Sequence, residues 1–274
     1  MSGFSAVVLA GERPGGSALS HQLGLPASVL VDVAGKPAVQ RVIEALENAD
    51  VITGGLLCGP AQEIYRATPE FALVLKGTSF RWLAPATGPS ASAIKAVQTL
   101  KRYPVLVTTG DHALLTPALI DLFCRQAQAA GGDIIAGLAP YPTVRAAFPE
   151  SKRTVQRYRD GSYCSTNLFA VMNPSGLAAL EFWQSVEAQR KRPWKIACKL
   201  GIGFLLRYLL RQLSLQEAVQ RLSDLSGCRA ACVVIDSARA AVDVDSLADR
   251  ELAEKILQAE AAESVDPAAA GSKA

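Results

Sequence analysis

Two carboxylates at the ends of apolar runs are the residues best suited to chemistry in this sequence. Asp111 follows the run Val105-Leu106-Val107 and the polar turn Thr108-Thr109-Gly110. Asp245 ends the segment Val242-Asp243-Val244-Asp245, just before a helical pattern that starts at Leu247. Magnesium prefers oxygen ligands and is often held by one or two carboxylates together with substrate phosphates. The two carboxylates are therefore candidates for function, and their oxygens are of the kind that magnesium prefers.

The stretch Tyr103 to Pro117 explains why Asp111 is a candidate for function. Its apolar run has the length and β-branched content of a buried strand, and ligands of open α/β sheets bind where such strands end. Thr116-Pro117 is typical of a helix start, so the following helix already has its cap. We favour a functional Asp111 over a solvated loop acid. For Asp245 the alternative is helix capping, with Ser246 and Asp249 in a loose capping box.

A glycine-rich loop follows the first strand, which is predicted at Phe4 to Leu9. The loop runs from Gly11 to Ser17, and its backbone amides could hold phosphate oxygens. It has neither a Walker A pattern nor the GxGxxG spacing of a dinucleotide site. When the loop is considered alone, a plain connection between strand and helix is about as good an interpretation as a phosphate site.

Strand and helix signals alternate along the rest of the chain. The further predicted strands are Leu56 to Cys58, Ala72 to Leu75, Asp133 to Leu138, a hairpin about Asp160-Gly161, and Ala231 to Ile235. The further predicted helices begin at Pro37, Gly88-Pro89-Ser90 and Thr116-Pro117, and also cover Pro174 to Arg190, Lys199 to about Leu225, and Leu247 to about Ala262. This alternation predicts an α/β fold with a mixed, mainly parallel sheet and helices on both faces.

We expect a single domain over residues 1–263, with a helix-rich part at about 174–230. Residues 264–274 are rich in Ala, Gly, Ser and Pro, which predicts a disordered tail.

The order of these motifs resembles the MobA-like NTP transferases, a family named for molybdenum cofactor guanylyltransferase and related to sugar-phosphate nucleotidyltransferases. The motifs are Val8-Leu9-Ala10-Gly11, Gly35-Lys36-Pro37, Gly88-Pro89-Ser90, Thr109-Gly110-Asp111 and Val242-Asp243-Val244-Asp245, and the resemblance covers roughly residues 4–257. It implies a Rossmann-like sheet of the nucleotide-diphospho-sugar transferase type. It also implies transfer of an NMP group from an NTP to a phosphorylated acceptor, with release of pyrophosphate.

The resemblance also implies roles for individual residues. The triphosphate of the NTP, expected to be CTP or GTP, would contact the first loop, and the base and ribose would lie near the start of the helix after Gly88. Asp111 and Asp245 would hold Mg²⁺, Asp243 is a weaker candidate ligand, and Asn167 would face a small-molecule or lipid-precursor acceptor. The implied nucleotide-binding residues are Leu9, Ala10, Gly11, Glu12, Arg13, Gly15, Gly16, Gly88 and Ser90, with Lys36 and Arg13 as catalytic cations.

Two positions depart from the family pattern. Ser17 stands where the family usually has an arginine after the glycines, and Ser28 stands where a phosphate-binding lysine is usual. A cation missing from an anionic site costs transition-state stabilisation. Arg13, Lys36 or Lys95 compensates, or the chain is a catalytically impaired nucleotide-binding or scaffolding relative.

Composition excludes several other classes. The net charge of +3 is too small for nucleic acid to be the main partner. The six cysteines form no CxxC pair and are joined by only His21 and His112, which argues against a zinc site. His112 could touch phosphate, although such a residue more often shapes its loop. There is no signal-peptide pattern and no membrane span, and we expect a cytoplasmic protein.

The segment 190–213 combines basic residues with a leucine-rich helical pattern. One interpretation is peripheral contact with a membrane that carries a lipid-precursor acceptor. The other is a core helix or the face of a homodimer beside a solvated loop, and we favour it.

Overall fold

The computed structural model describes residues 3–12, 15–189 and 201–265. The strands are β1 (Phe4–Leu9), β2 (Asp32–Val33), β3 (Lys36–Pro37), β4 (Ile52–Cys58), β5 (Phe80–Leu83), β6 (Val105–Thr109), β7 (Ile134–Pro140), β8 (Gln156–Tyr158), β9 (Gly161–Val171) and β10 (Ala230–Val234). The helices are α1 (Ala18–Leu23), α2 (Ala38–Glu47), α3 (Gln62–Ala67), α4 (Pro69–Leu75), α5 (Pro89–Leu100), α6 (Pro117–Ala130), α7 (Tyr141–Ala147), α8 (Leu177–Glu187), α9 (Ile202–Leu209), α10 (Leu215–Ser226) and α11 (Leu247–Val265).

The central sheet has the order β10-β7-β9-β6-β1-β4-β5, with β8 paired to β9, while β2 and β3 form a separate two-stranded sheet. Strand β1 is parallel to both β4 and β6, β4 is parallel to β5, and β7 is parallel to β10. Strand β9 runs antiparallel to β6 and β7. The predicted mixed, mainly parallel sheet is confirmed.

Both faces of this sheet are covered by helices. Phe4, Ala6 and Val8 of β1 point into a core shared with α2 and α6, whereas Val7 points into a second core shared with α5 and α8. Successive side chains of a strand alternate between the faces, so a strand buried on both sides is mostly apolar. This is why β1 has no polar face, and its one polar residue, Ser5, is buried.

The predicted strand at Ala72 to Leu75 is wrong, because these residues belong to helix α4. Pro69 lies in the first turn of α4, and Phe71 and Val74 are buried three residues apart, as a helix requires. A four-residue apolar run is compatible with either a strand or a helix. The strand β5, at Phe80–Leu83, was not predicted.

The long helix predicted from Lys199 is interrupted. Helix α9 ends at Leu209, Arg211 has a left-handed φ of 56°, and Ser214 begins α10 with a capping box to Glu217. Ser214 and Glu217, three residues apart, form a capping-box pattern that indicates the start of a new helix. The C-terminal helix α11 ends at Val265, two residues into the tail predicted at 264–274. Residues 266–274 lie outside the described residues.

Two local predictions are confirmed. The Thr116 side chain accepts a hydrogen bond from the Leu119 amide at 3.3 Å and caps α6, which begins at Pro117. The predicted hairpin joins β8 to β9, with Tyr158 paired to Gly161, so its turn residues are Arg159 and Asp160, one position before the predicted Asp160-Gly161. Asp111 is therefore not needed as a helix cap.

Helix α9 leaves its apolar face exposed. The exposed fractions of Ile202, Leu206 and Leu209 are 65%, 53% and 73%, while Tyr208 packs edge-on against Tyr158 at 5.8 Å. Since α9 has no buried residue, the interpretation as a core helix is wrong. Within the described ranges no helix has the length and apolar content needed to cross a membrane.

Candidate functional site

The site lies where β1 and β6 end side by side. Leu9 is paired with Thr109 in parallel register, and the Gly110 amide donates to the Leu9 carbonyl at 2.8 Å. From β1 the chain continues to β4 and β5 on one side, and it then returns to β6 on the other side of β1. Such a reversal opens a crevice at the carboxyl ends of the strands, which is where open α/β sheets bind ligands.

The glycine-rich loop is held at this crevice by the backbone of β4 and the residue after it. The Ala10 amide donates to the Cys58 carbonyl at 2.9 Å. Gly59 has a φ of 109°, and a Cβ there would lie 2.6 Å from the Ala10 carbonyl carbon and the Gly11 amide nitrogen. Only glycine permits this close approach of two backbones. Arg13 of this loop lies outside the described residues.

Glu12 lies close to the position where the family usually has a lysine. Its carboxylate accepts a hydrogen bond from the Ser28 amide at 2.5 Å. Ser28 begins a 3₁₀ turn, Ser28–Leu30, whose first amides lack partners within the turn. An acid of the first loop therefore contacts the backbone at the position where the family usually carries a cation, a contact that no sequence pattern indicated.

Asp111 is a carboxylate in an unfavourable environment. Its side chain accepts a hydrogen bond from the Thr109 hydroxyl at 2.5 Å. Burial nevertheless raises the pKa of Asp111 to about 7, and the nearby charges of Asp243 and Asp245 act in the same direction, against the Thr109 hydrogen bond. The charges of Asp243 and Asp245 therefore act on Asp111 in the folded chain.

The segment from Asp243 to Asp245 is fixed beside Asp111. The Val244 amide donates to the Asp111 carbonyl at 3.0 Å, and Val244 is buried. Asp245 is exposed at the end of this segment, and the Ser246 hydroxyl accepts from the Asp249 amide at 3.2 Å. Ser246 rather than Asp245 therefore caps α11, which weakens the capping explanation for Asp245.

Asn167 meets this segment through Asp243. Its side-chain amide donates to Asp243 Oδ2 at 3.1 Å, and its φ of 51° lies in the left-handed region that asparagine tolerates. The turned backbone lets Asn167 face Asp243 from the middle of β9. The structure thus brings together Asp111, Asn167 and the segment with Asp243 and Asp245, which come from three separate parts of the sequence.

Arg153 is the residue of this cluster that the sequence did not reveal. Its guanidinium donates to Asp243 Oδ1 and to Asp249 Oδ1, both at 2.6 Å, and its side chain is 7% exposed. Both oxygens of Asp243 are thus taken, one by Arg153 and one by Asn167. Asp243 therefore orients its neighbours, and it is a poorer metal-ligand candidate than Asp111 and Asp245. Arg153 lies in a polar stretch without periodicity, so no spacing signal pointed to it.

Gly88 and Ser90 lie at the N-terminus of α5. The Ser90 hydroxyl donates to the Glu187 carboxylate at 2.7 Å, and a Cβ at Gly88 would lie 3.1 Å from Glu187 Oε1. Glu187, which ends α8, is therefore a further residue at the predicted base and ribose position.

The remaining candidates make their contacts elsewhere or lie inside the fold. Lys36 forms a salt bridge with Glu44 of α2 at 2.7 Å. Lys95 donates to the Ala84 carbonyl, beyond the end of β5, at 2.6 Å. His112 is 1% exposed, and burial lowers its pKa to about 4, which favours a role in shaping the loop.

The residues present fit a magnesium ion. Among the described residues, no cluster of three or more His, Cys, Asp or Glu side chains could hold a metal by itself. Magnesium needs fewer protein ligands than that, because substrate phosphates and water complete its shell. The raised pKa of Asp111 next to Asp245 indicates an electrostatic environment that a divalent cation would relieve.

Comparisons with solved structures show the same fold. A hypothetical transferase structure from Thermus thermophilus is 29% identical, with a TM-score of 0.76, over 91% of this chain and 100% of that chain. A CMP:2-keto-3-deoxy-manno-octonic acid synthetase complexed with CTP is 12% identical, with a TM-score of 0.60, over 95% and 100% of the two chains. A 2-C-methyl-D-erythritol 4-phosphate cytidylyltransferase, also from Thermus thermophilus, is 14% identical, with a TM-score of 0.52, over 94% and 100%.

The sequence has no match among curated proteins. The sequence model of the MobA-like NTP transferase domain matches residues 6–157, more than half of the chain. This range contains the glycine-rich loop, Ser90, Asp111 and Arg153, whereas Asn167 and Asp245 lie beyond it. The nucleotidyltransferase fold predicted from motif order is confirmed, and the chain belongs to the family of MobA-like NTP transferase domains.

Proposed function

We propose that this protein is a magnesium-dependent nucleotidyltransferase that moves an NMP group from an NTP to a phosphorylated acceptor. An acceptor phosphate oxygen attacks the α-phosphorus, a new phosphorus–oxygen bond forms, and the bond to the β-phosphate breaks to release pyrophosphate. The observation that carries the proposal is the meeting of Asp111 with the Asp243–Asp245 segment at the crevice between β1 and β6, through the Val244 amide at 3.0 Å.

Each part of the site has a role in this proposal. The glycine-rich loop, together with Leu9 and Ala10 before it, contacts the triphosphate with its backbone amides. Asp111 and Asp245 hold magnesium, which supplies positive charge where the two anionic reactants approach each other. Gly88 and Ser90 lie against the base and ribose.

Asn167 and Arg153 border the acceptor side of the site. Asn167 is held by Asp243, and Arg153 in turn holds Asp243 and Asp249. This chain of contacts fixes the acceptor side relative to the carboxylates. CTP and GTP are the expected nucleotides, and two structures of the same fold are a synthetase with bound CTP and a cytidylyltransferase. The titration below decides between CTP and GTP.

The first prediction concerns nucleotide binding by the native protein. With magnesium present, calorimetric titration should show CTP or GTP binding, and binding should weaken at least tenfold when the metal is removed with a chelator. Incubation with a panel of phosphorylated acceptors should then release pyrophosphate. Lack of binding by every NTP would contradict the proposal. Asp50→Asn is the control, because Asp50 is an exposed acid outside the site.

A catalytically impaired nucleotide-binding relative is the second candidate, and the Glu12–Ser28 contact favours it. It predicts NTP binding without pyrophosphate release by any acceptor. Ser28→Lys would then introduce the cation that the family usually carries at this position. Recovery of pyrophosphate release in this variant would identify the native chain as an impaired relative.

Peripheral contact with an anionic membrane is supported by the exposed face of α9. Ile202, Leu206 and Leu209, with Leu210, expose apolar surface on one side of the helix. Arg207 and Arg211 are also exposed, and Arg207 forms a salt bridge with Glu217 of α10. Arg211, at the end of this face, adds positive charge that anionic lipid headgroups would complement.

The second prediction tests this contact with vesicles. The protein should sediment with phosphatidylglycerol-containing vesicles, and Leu206→Glu with Leu209→Glu should weaken binding at least tenfold. The matched control is Leu73→Glu, since Leu73 of α4 is 66% exposed outside this face. No sedimentation of the native protein, or equal loss in the control, would contradict the contact. Self-association that the double variant removes would assign the face to a homodimer.

A further inference from the structure

A cleft with basic walls opens at the same edge of the sheet as the proposed catalytic site. It has a volume of 430 Å³ and lies beside α7, which begins directly after β7. Since β6 and β7 are both antiparallel to β9, they end at the same edge of the sheet. The charged residues of its lining are Arg145, Glu150, Lys152, Arg153 and Arg157.

Tyr141 arranges two of these arginines. Arg145 Nη1 donates to the Tyr141 hydroxyl at 3.2 Å, and the Arg157 guanidinium lies 5.8 Å from the centre of the same ring. Each guanidinium thus has a fixed neighbour, and less side-chain freedom is lost when a ligand binds. Planar guanidinium groups match the paired oxygens of phosphate and carboxylate.

The cleft borders the acceptor side of the catalytic site. Arg153 lines the cleft and also donates to Asp243, which accepts from Asn167. Because Arg153 is already paired with Asp243 and Asp249, the other three basic residues are the ones that can receive a ligand. Arg145, Lys152 and Arg157 are all exposed.

We propose that this cleft binds a second anionic group of the acceptor, distinct from the phosphate that attacks the NTP. The attacking phosphate has to lie near Asp111 and Asp245, whereas Arg145 and Arg157 lie beyond Arg153. The acceptor class is therefore a molecule with two separated anionic groups, phosphate or carboxylate. This inference rests on the proposed nucleotidyl transfer and adds the chemistry of its acceptor.

The first experiment asks whether the cleft binds an anion at all. Inorganic phosphate is titrated into the full chain, with a non-hydrolysable CTP analogue and magnesium present to fill the nucleotide site. Arg145→Gln with Arg157→Gln should weaken phosphate binding at least tenfold. The matched control is Arg66→Gln with Arg81→Gln, which removes the same charge from exposed positions on α3 and β5. Equal affinity in both double variants would overturn the cleft as a binding site.

The second experiment asks whether the anion belongs to the acceptor. Alkanediol bisphosphates of increasing chain length are compared with the monophosphates of the same alcohols, under the same conditions. At the chain length that spans the cleft and the position of the attacking phosphate, the bisphosphate should bind at least tenfold tighter than the monophosphate. The Arg145→Gln, Arg157→Gln variant should lose that gain in affinity. A series without any such gain would overturn the inference.

Failure of this inference is distinguishable from failure of the proposed function. Lack of NTP binding by the native protein refutes nucleotidyl transfer whatever the cleft binds. NTP binding and pyrophosphate release that are unchanged in Arg145→Gln with Arg157→Gln, at every acceptor concentration, refute the cleft alone.

Discussion

Asp111→Asn is expected to lower nucleotidyl transfer by about a thousandfold and, at the same time, to stabilise the metal-free protein at pH 8. Loss of one of two carboxylate ligands weakens the hold on magnesium and removes charge stabilisation of the order of several kcal/mol. The stabilisation has a separate cause. Burial and the charges of Asp243 and Asp245 raise the pKa of Asp111 to about 7, so its ionised form is disfavoured in the folded protein.

The gain in stability should depend on pH in a defined direction. A carboxyl group whose pKa is higher in the folded than in the unfolded state destabilises the fold once both states are ionised. For Asp111 the destabilisation is complete above about pH 7 and is relieved as the pH falls toward 3.8, the ordinary pKa of an aspartate. Asp111→Asn should therefore raise the free energy of unfolding by up to about 4 kcal/mol at pH 8, the value of a shift of about three pKa units, and the gain should vanish near pH 4.

Urea unfolding at several pH values, with a chelator present, measures this gain. The control is Asp50→Asn, because Asp50 is exposed and its substitution should change neither stability nor transfer. Adding magnesium and NTP should reverse the order of stability, since only the native carboxylate binds the metal well. If Asp111→Asn were less stable than the native protein at pH 8, Asp111 would be a structural residue and its assignment as a metal ligand would be wrong.

The position of Asp111 at a strand end could be predicted because its signals are local. A β-branched run identified β6, and Thr116 with Pro117 accounted for the cap of α6, which left Asp111 without a structural task. The sheet and its mixed direction followed similarly from alternating strand and helix signals. Helix α4 was mistaken for a strand because four apolar residues are compatible with either structure.

The supporting contacts of the site could not be predicted, because they depend on tertiary placement. Arg153 reaches Asp243 across 90 positions of sequence, and Ser90 reaches Glu187 across 97. No periodic pattern links residues so far apart. The cleft beside Tyr141 likewise depends on tertiary placement, because the end of β7 and the start of β8 pair with Tyr163 from opposite sides of β9.

Gly59→Ala is expected to cost about 3 kcal/mol of stability and to weaken NTP binding at least tenfold. The new Cβ would lie 2.6 Å from backbone atoms of Ala10 and Gly11, so one of the two backbones has to move. The φ of 109° adds strain for any residue with a Cβ. Because Ala10 and Gly11 begin the glycine-rich loop, displacement of their amides should disturb the proposed contact with the triphosphate.

Gly77→Ala measures the cost of a left-handed backbone without a steric clash of the new Cβ. Gly77 also has a positive φ, of 79°, but a Cβ there would meet nothing within 4 Å. It should lose about 1 kcal/mol from the left-handed backbone alone and bind NTP like the native protein. Urea unfolding measures the stability of the two variants, and calorimetric titration with NTP and magnesium, below their unfolding transitions, measures their affinity for NTP.

Equal losses of stability would mean that β4 does not hold the loop through Gly59. Unchanged NTP affinity in a destabilised Gly59→Ala would place the triphosphate away from Ala10 and Gly11, and the nucleotide site would then have to be sought along α5.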